Sequence, residues 1–93
     1  MALKTLQVTI GAAVTQFSTT NIPCYQVIVQ NNSTHTMRIG DKNTSATRGA
    51  LLAAGTPGGS VNLGTFTMVN TDLMEWWVAG TQNDVVDVIY IAA

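Results

Sequence analysis

The stretch that decides the fold is CYQVIVQ, residues 24–30, in which polar and apolar side chains alternate. Neighbouring side chains of a β-strand point to opposite faces, so Tyr25, Val27 and Val29 share one face, while Ile28 lies with the two glutamines on the other. Valine is also common in strands, because its branched side chain packs well on a pleated surface. The stretch therefore predicts a strand with one face in a core.

The same pattern recurs in short segments along the rest of the chain. Six further strands are predicted, at residues 3–10, 14–17, 35–39, 61–69, 72–79 and 84–91, with a break at Gly64, and residues 49–54 form a short apolar segment. Turn-forming residues separate them at intervals of about ten; residues 55–60 carry the strongest turn signal, and residues 80–83 suit a hairpin link. The sequence thus predicts an all-β protein: a single small antiparallel β-sandwich, jelly-roll-like, over residues 1–93, with an extended N-terminal segment at residues 1–5.

Composition restricts the kind of surface that this domain has. Charged residues make up 10% of the 93 residues, where about 25% is typical. A lone chain with so few charges and a net charge of −1 is poorly soluble, so we expect partners to cover much of its surface. The four basic residues give neither the footprint of a nucleic-acid binder nor a basic amphipathic helix for a membrane surface, so we expect neither partner.

Cysteine usage and hydropathy indicate where the protein is made. Cys24 is the only cysteine, which excludes an internal disulfide and a thiolate zinc cluster. The sequence shows no leader segment and no run approaching the ~18 apolar residues of a membrane span. We therefore expect a soluble protein made in a cytoplasm.

Two predicted strands are apolar on both faces, which a domain of this size cannot cover by itself. In the strand 72–79, alternation sends Met74 and Trp76 to the core, so Leu73 and Trp77 point outward. Large exposed apolar patches mark interaction sites, and tryptophan is a frequent anchor of interfaces. We therefore expect neighbouring subunits to cover the outward side chains.

The last strand, 84–91, has the same property, because Val86 and Val88 form one apolar face and Ile89 lies on a second. The predicted oligomer interface consists of Leu73, Trp77, Val85, Ile89 and Ile91. Two alternatives stay open. A β-bulge near Trp76 would turn both tryptophans inward, and scattered hydrophobic residues are normal on the surface of a monomer.

The side chains that carry catalysis are few and scattered. His35 is the only histidine and ends a predicted strand, while Cys24 follows a proline at a strand start and is expected to be a packed thiol. The acidic residues near 72–75 and 84–87 are spaced like solvated strand edges, and residues 41–43 form a weak calcium motif at best. We expect no enzyme, no cofactor, no metal site and no small-molecule substrate.

Four segments in order resemble a family of small β-sandwich structural proteins of tailed bacteriophages. The segments are IPCYQVIVQ at 22–30, IGD at 39–41, GALLAAG at 49–55 and VDVIYI at 86–91. The similarity runs from about residue 14 to residue 91. Members of the family are head decoration or cement proteins and modules of virion fibres.

The resemblance implies a structural role on the virion. Cement proteins of this kind form trimers on the capsid surface and bridge neighbouring capsomers, so the expected partners are the chain itself, as a homotrimer, and the phage major capsid protein. Candidate capsid contacts lie in the N-terminal segment, one turn and the polar loop 41–48: Lys4, Asn31, Asn32, Lys42 and Arg48. The alternatives are a neck, tail or fibre component and, in another class, a carbohydrate-binding module in which Trp77 stacks on a sugar.

Overall fold

A computed structural model of the chain describes residues 2–12, 14–55 and 64–93. Its strands are β1 (Ala2–Thr9), β2 (Val14–Gln16), β3 (Pro23–Asn31), β4 (Met37–Gly40), β5 (Ala50–Leu52), β6 (Thr65–Asp72), β7 (Trp77–Ala79) and β8 (Val85–Ala92). One turn of 3₁₀ helix, Leu73–Glu75, separates β6 from β7, and no α-helix occurs in the described part of the chain. The all-β prediction is confirmed.

Two sequence predictions concern the ends of segments. Of the turn predicted at 55–60, only Gly55 belongs to the described residues. Of the strand predicted at 61–69, only the part from Gly64 onward does. Residues 2–5, predicted as an extended N-terminal segment, form the first half of β1 and pair with β8.

The strands form two antiparallel four-stranded sheets, ordered β1-β8-β3-β6 and β2-β7-β4-β5. β1 pairs with β8, β2 with β7, β3 with β6 and β4 with β5. The first strand thus pairs with the last, the second with the second to last, and so on inward. This is the pairing that one long antiparallel hairpin has when it is folded over into two sheets. The pairings of β3 with β8 and of β4 with β7 complete the two sheets. This is the topology of a jelly roll, as predicted.

The core lies between the sheets and follows the alternation of the sequence along most of β3. The prediction that Tyr25 shares the core side with Val27 and Val29 is wrong: Tyr25 is 50% exposed, because the pairing of β3 with β8 shifts register between Cys24 and Gln26. Val27 and Val29 of β3 are fully buried, whereas Ile28 between them is exposed. Val86 and Val88 of β8 join the same cluster, which residues of the second sheet complete. Burial of each such side chain contributes about 1.5–3 kcal/mol, so the paired centre of β3 and β8 is a main source of stability.

The prediction of a continuous strand over 72–79 is wrong, because Asp72 starts a turn. Asp72 Oδ1 accepts hydrogen bonds from the backbone N–H groups of Met74 and Ile22, both at 2.9 Å. The 3₁₀ turn that follows breaks the alternation, so Leu73 is 0% exposed and Met74 is 36% exposed. The core and solvent positions predicted for these two side chains are therefore reversed.

The two tryptophans lie in different surroundings. Trp76 packs against the core, as predicted: its ring centroid is 5.8 Å from that of Phe66, and its indole N–H donates to Thr71 Oγ1 at 2.8 Å. Trp77 is half-buried in β7, where the next residue, Val78, is fully buried. Trp77 therefore points away from the core, and the alternative in which a bulge turns both rings inward is not observed.

The link between β7 and β8 is not the hairpin predicted at residues 80–83, because the two strands belong to different sheets. Its backbone instead pairs with the residue after β1. Asn83 N–H donates to the carbonyl of Ile10, and Ile10 N–H donates to the carbonyl of Asp84, both at 2.9 Å. Asn83 has a φ of 74°, a conformation that asparagine tolerates. A turn is present, as predicted, but it crosses from one sheet to the other.

Candidate interaction surfaces

The outer side of the sheet β1-β8-β3-β6 carries uncovered apolar side chains in register. One row across the four strands is Leu3, Ile91, Gln26 and Val69. The next row is Thr5, Ile89, Ile28 and Thr67. Leu3 is 69% exposed, Val69 63%, Ile89 39% and Ile28 36%. We call the surface formed by Leu3, Ile28, Val69, Ile89 and Ile91 the outer apolar face.

A third row, of polar residues, borders the outer apolar face. It consists of Gln7, Asp87, Gln30 and Thr65. Gln7 Nε2 donates to Asp87 Oδ1 at 2.8 Å, which fixes the carboxylate against the neighbouring strand. An open groove of about 600 Å³ runs between this row and the isoleucines. The sheet thus presents an apolar area with a polar margin, which is the usual composition of a protein interface.

The outer side of the sheet β2-β7-β4-β5 is different. Trp77 lies in an open groove lined by Gln16, Asp41, Lys42, Met74 and Glu75. A second row on the same side consists of Val14, Ala79, Arg38 and Leu51. Leu51 is 57% exposed, and Arg38 donates from Nη1 to the carbonyl of Gly49 at 2.9 Å. We call this surface, with charges of both signs around exposed apolar groups, the Trp77 face.

The structure divides the predicted oligomer interface among three places. Val85, Ile89 and Ile91 project from the side of β8 that faces away from the core, with Ile89 in the centre of the outer apolar face. Trp77 belongs to the opposite sheet, and Leu73 is fully buried inside the subunit. The prediction is wrong for Leu73, whose side chain is inside the subunit. Trp77 and Ile89 lie on different surfaces, because the 3₁₀ turn and the crossing between sheets separate β7 from β8.

The predicted interface does not include Leu3, Ile28 and Val69, although the alternation of side chains along their strands indicates that Ile28 points away from the core. The sequence alternation places Ile28 on the face of β3 opposite Val27 and Val29. The exposed fractions of Leu3 and Val69 follow from their positions on β1 and β6, the two edge strands of the sheet. Strand order is not visible in a single sequence, so this grouping requires the fold.

Four of the five predicted capsid contacts are accessible. Lys4 is exposed on β1, Lys42 and Arg48 are exposed in the polar loop 41–48, and Asn32 is half-buried. These residues do not share one sheet, because Lys4 lies in β1 and the loop joins β4 to β5.

The fifth predicted capsid contact, Asn31, is wrong, because its side chain is fully buried. Its Nδ2 donates to the carbonyls of His35 at 2.7 Å, Leu52 at 3.2 Å and Ala53 at 3.3 Å. Its Oδ1 accepts from the Ser33 hydroxyl at 2.8 Å. Asn31 therefore ties the turn after β3 to the end of β5, and it has no surface to offer a partner.

The histidine and the cysteine both have structural partners. His35 Nδ1 lies 2.8 Å from Asp84 Oδ2, and the histidine side chain is 55% exposed. Cys24 is buried and its thiol donates to the carbonyl of Ile22 at 3.1 Å. Burial raises the pKa of the Cys24 thiol, and the Asp72 carboxylate raises it further. This thiol is therefore held in its unreactive protonated form.

Among the described residues, no three histidine, cysteine or acidic side chains come together in a way that could hold a metal ion. None of the helical structure described there is long and apolar enough to cross a bilayer. The features that point to a function are consequently the two outer faces. Comparison with known proteins adds no assignment: no family model matches the chain, and no curated protein is significantly similar to it.

Proposed function

We propose that this chain is a decoration, or cement, protein of a tailed-phage head, which binds the capsid surface as a homo-oligomer and stabilises the capsid. The observation that supports this most is the exposure of large apolar side chains on the outer sides of both sheets. Such patches mark interaction sites in soluble proteins. A β-sandwich with apolar side chains exposed on both outer sides is suited to contact two different proteins at once.

Fold and composition support the same proposal. Jelly rolls occur in viral capsid proteins and in lectins, although a fold by itself does not define a function. Because only 10% of its residues are charged, the free chain has few surface charges to keep it soluble. Covering apolar surface contributes about 25 cal/mol per Å², so contact with partners would stabilise such a chain.

The proposed mechanism is passive. A homotrimer, the stoichiometry that we expect, carries three copies of each capsid contact, so binding by one copy places the others at high local concentration. The exposed side chains of Lys4, Lys42 and Arg48 are candidates for contact with the major capsid protein. A ligand that binds only the assembled state shifts the equilibrium toward that state, so the decorated capsid resists dissociation.

The test is quantitative mass spectrometry of purified virions of the phage that encodes the chain, together with the absolute mass of the purified protein. We expect hundreds of copies on the head and a mass of three chains in solution. A few copies per virion would favour a neck, tail or fibre component instead. Absence of the chain from virions would overturn the proposal.

One observation favours a candidate function of another class, a small carbohydrate-binding module. Trp77 lies in an open groove with the polar side chains of Gln16, Asp41 and Glu75, and an aromatic ring beside polar groups is the composition that sugar binding uses. Specific binding on a glycan array, lost in Trp77→Ala and shown by a monomer, would replace the decoration proposal with this one.

A further inference from the structure

We propose that copies of this chain associate with one another through the outer apolar face, which leaves the Trp77 face for a different partner. The identification of that second partner as the capsid rests on the proposed function, whereas the self-association does not. The occupant of the outer apolar face is therefore a second copy of the chain.

The charge distribution carries this assignment. In the three rows described above for the outer side of β1-β8-β3-β6, Asp87 is the only charged side chain, and it lies in the row at the margin. Where the same patch of two identical subunits meets across a symmetry axis, residues near the axis meet their own copies. A charge there would meet the same charge and repel it, so a surface that binds itself must be nearly free of charge at its centre.

The polar groups of this surface can also pair with themselves. Gln26, Gln30 and Gln7 each carry an amide that is both donor and acceptor, and threonine hydroxyls have the same property. Identical amides brought together by a symmetry axis can therefore satisfy each other. Lysine and arginine, which only donate, cannot do this.

The Trp77 face has the opposite character. Asp41, Lys42 and Glu75 surround the tryptophan, and Arg38 lies in the neighbouring row. Two copies that met through this surface would bring like charges together wherever a charged residue lies near the symmetry axis. A surface of mixed charge instead favours a partner with a complementary pattern, which a different protein can supply.

The size of the outer side fits an interface between subunits. Four strands spaced about 4.8 Å apart and eight residues long at about 3.4 Å each cover roughly 500 Å² of flat sheet. Side-chain relief makes the accessible area larger than this, so it approaches the ~800 Å² that each partner buries in a standard interface. The groove beside Ile28 and Ile89 can receive side chains of the second copy.

The experiment compares the mass of the full chain in solution, by analytical ultracentrifugation, with that of three lysine variants. Ile89→Lys places a charge in the centre of the outer apolar face, and Thr67→Lys places one in the same row at an exposed position. Leu51→Lys is the matched control, because Leu51 is exposed on the opposite sheet. Near-ultraviolet circular dichroism of Trp76, which packs against the core, reports the fold.

We expect the wild type and Leu51→Lys to have the mass of several chains, and Ile89→Lys and Thr67→Lys to have the mass of one. If Ile89→Lys loses the tryptophan signal, Thr67→Lys decides, because its side chain is outside the core. A monomeric wild type, an unchanged mass of both face variants, or dissociation of Leu51→Lys would overturn the assignment. A self-associating chain that is absent from virions would keep this inference and overturn the proposed function. A monomer that is abundant on the heads of virions would overturn this inference and keep the decoration role without the homo-oligomer.

Discussion

Strand β3 and the segment 72–79 are both rich in apolar residues, but only β3 keeps its sequence alternation, from Gln26 onward. In β3, Val27 and Val29 are buried and Ile28 is exposed, as the alternation predicts. In 72–79, one carboxylate that accepts two backbone N–H groups starts a 3₁₀ turn and reverses the first two apolar positions. Hydrophobic period therefore determines orientation only where no side chain competes for the backbone hydrogen bonds.

The largest expected effect comes from the regular side of this comparison. Val29→Ala removes two methyl groups from a position that is fully buried between the sheets, and we expect it to lower the free energy of unfolding by about 2–3 kcal/mol. The control is Gln30→Ala, one residue further on the exposed side, which should stay within about 0.5 kcal/mol of wild type. Urea denaturation followed by tryptophan fluorescence measures both. Equal losses in the two variants would mean that alternation does not define the core side of β3.

The next effect tests the turn. Asp72→Ala removes the acceptor for the Met74 and Ile22 N–H groups, and we expect a loss of about 1–2 kcal/mol. Asp72→Asn keeps an oxygen acceptor and should lose clearly less. The same denaturation assay distinguishes them. If Asp72→Ala is as stable as wild type, the carboxylate is not what redirects this segment.

A smaller effect concerns the tryptophan that follows the turn. Thr71→Val keeps the shape of the side chain but leaves the Trp76 indole N–H without its acceptor, which should cost about 1 kcal/mol. Thr71→Ser retains the hydroxyl and serves as the control. The fluorescence spectrum of the folded protein gives a second measurement, because it responds to the hydrogen bond of the indole. A stability of Thr71→Val equal to that of Thr71→Ser would contradict the assignment.

The smallest expected effect is a dependence on alkaline pH. Because burial and Asp72 raise the pKa of the folded Cys24 thiol, its contribution to stability is complete below the ordinary cysteine pKa of about 8.5 and is lost as the pH rises through the folded value. The stability of wild type relative to Cys24→Ala should therefore fall between pH 7 and pH 10. Paired urea titrations of the two proteins at each pH give this difference. A difference that grows with pH has the wrong sign for a buried thiol.

Most of the fold was accessible from the sequence, since period and turn residues located every strand segment except β5, whose residues are recognised in the sequence only as a short apolar segment. Two kinds of error remained, and both involve contacts between distant residues. The hairpin predicted at 80–83 is not formed, and Trp77 and Ile89 lie in different sheets, because strand order depends on the whole chain. Asn31 was expected at the surface because its residue type is polar, yet four hydrogen bonds satisfy it inside.

The pairing of strands from the two ends inward has a consequence for the order of events in folding. The pair β4–β5 joins residues close in the chain, whereas β1–β8 joins its two ends, from Ala2 with Ala92 to Thr9 with Val85. Closing long loops is slow, so we expect the terminal strands to dock last. The outer apolar face is built partly from these strands, so this surface is complete only when the subunit itself is finished. Premature pairing of half-folded chains is thereby limited by topology.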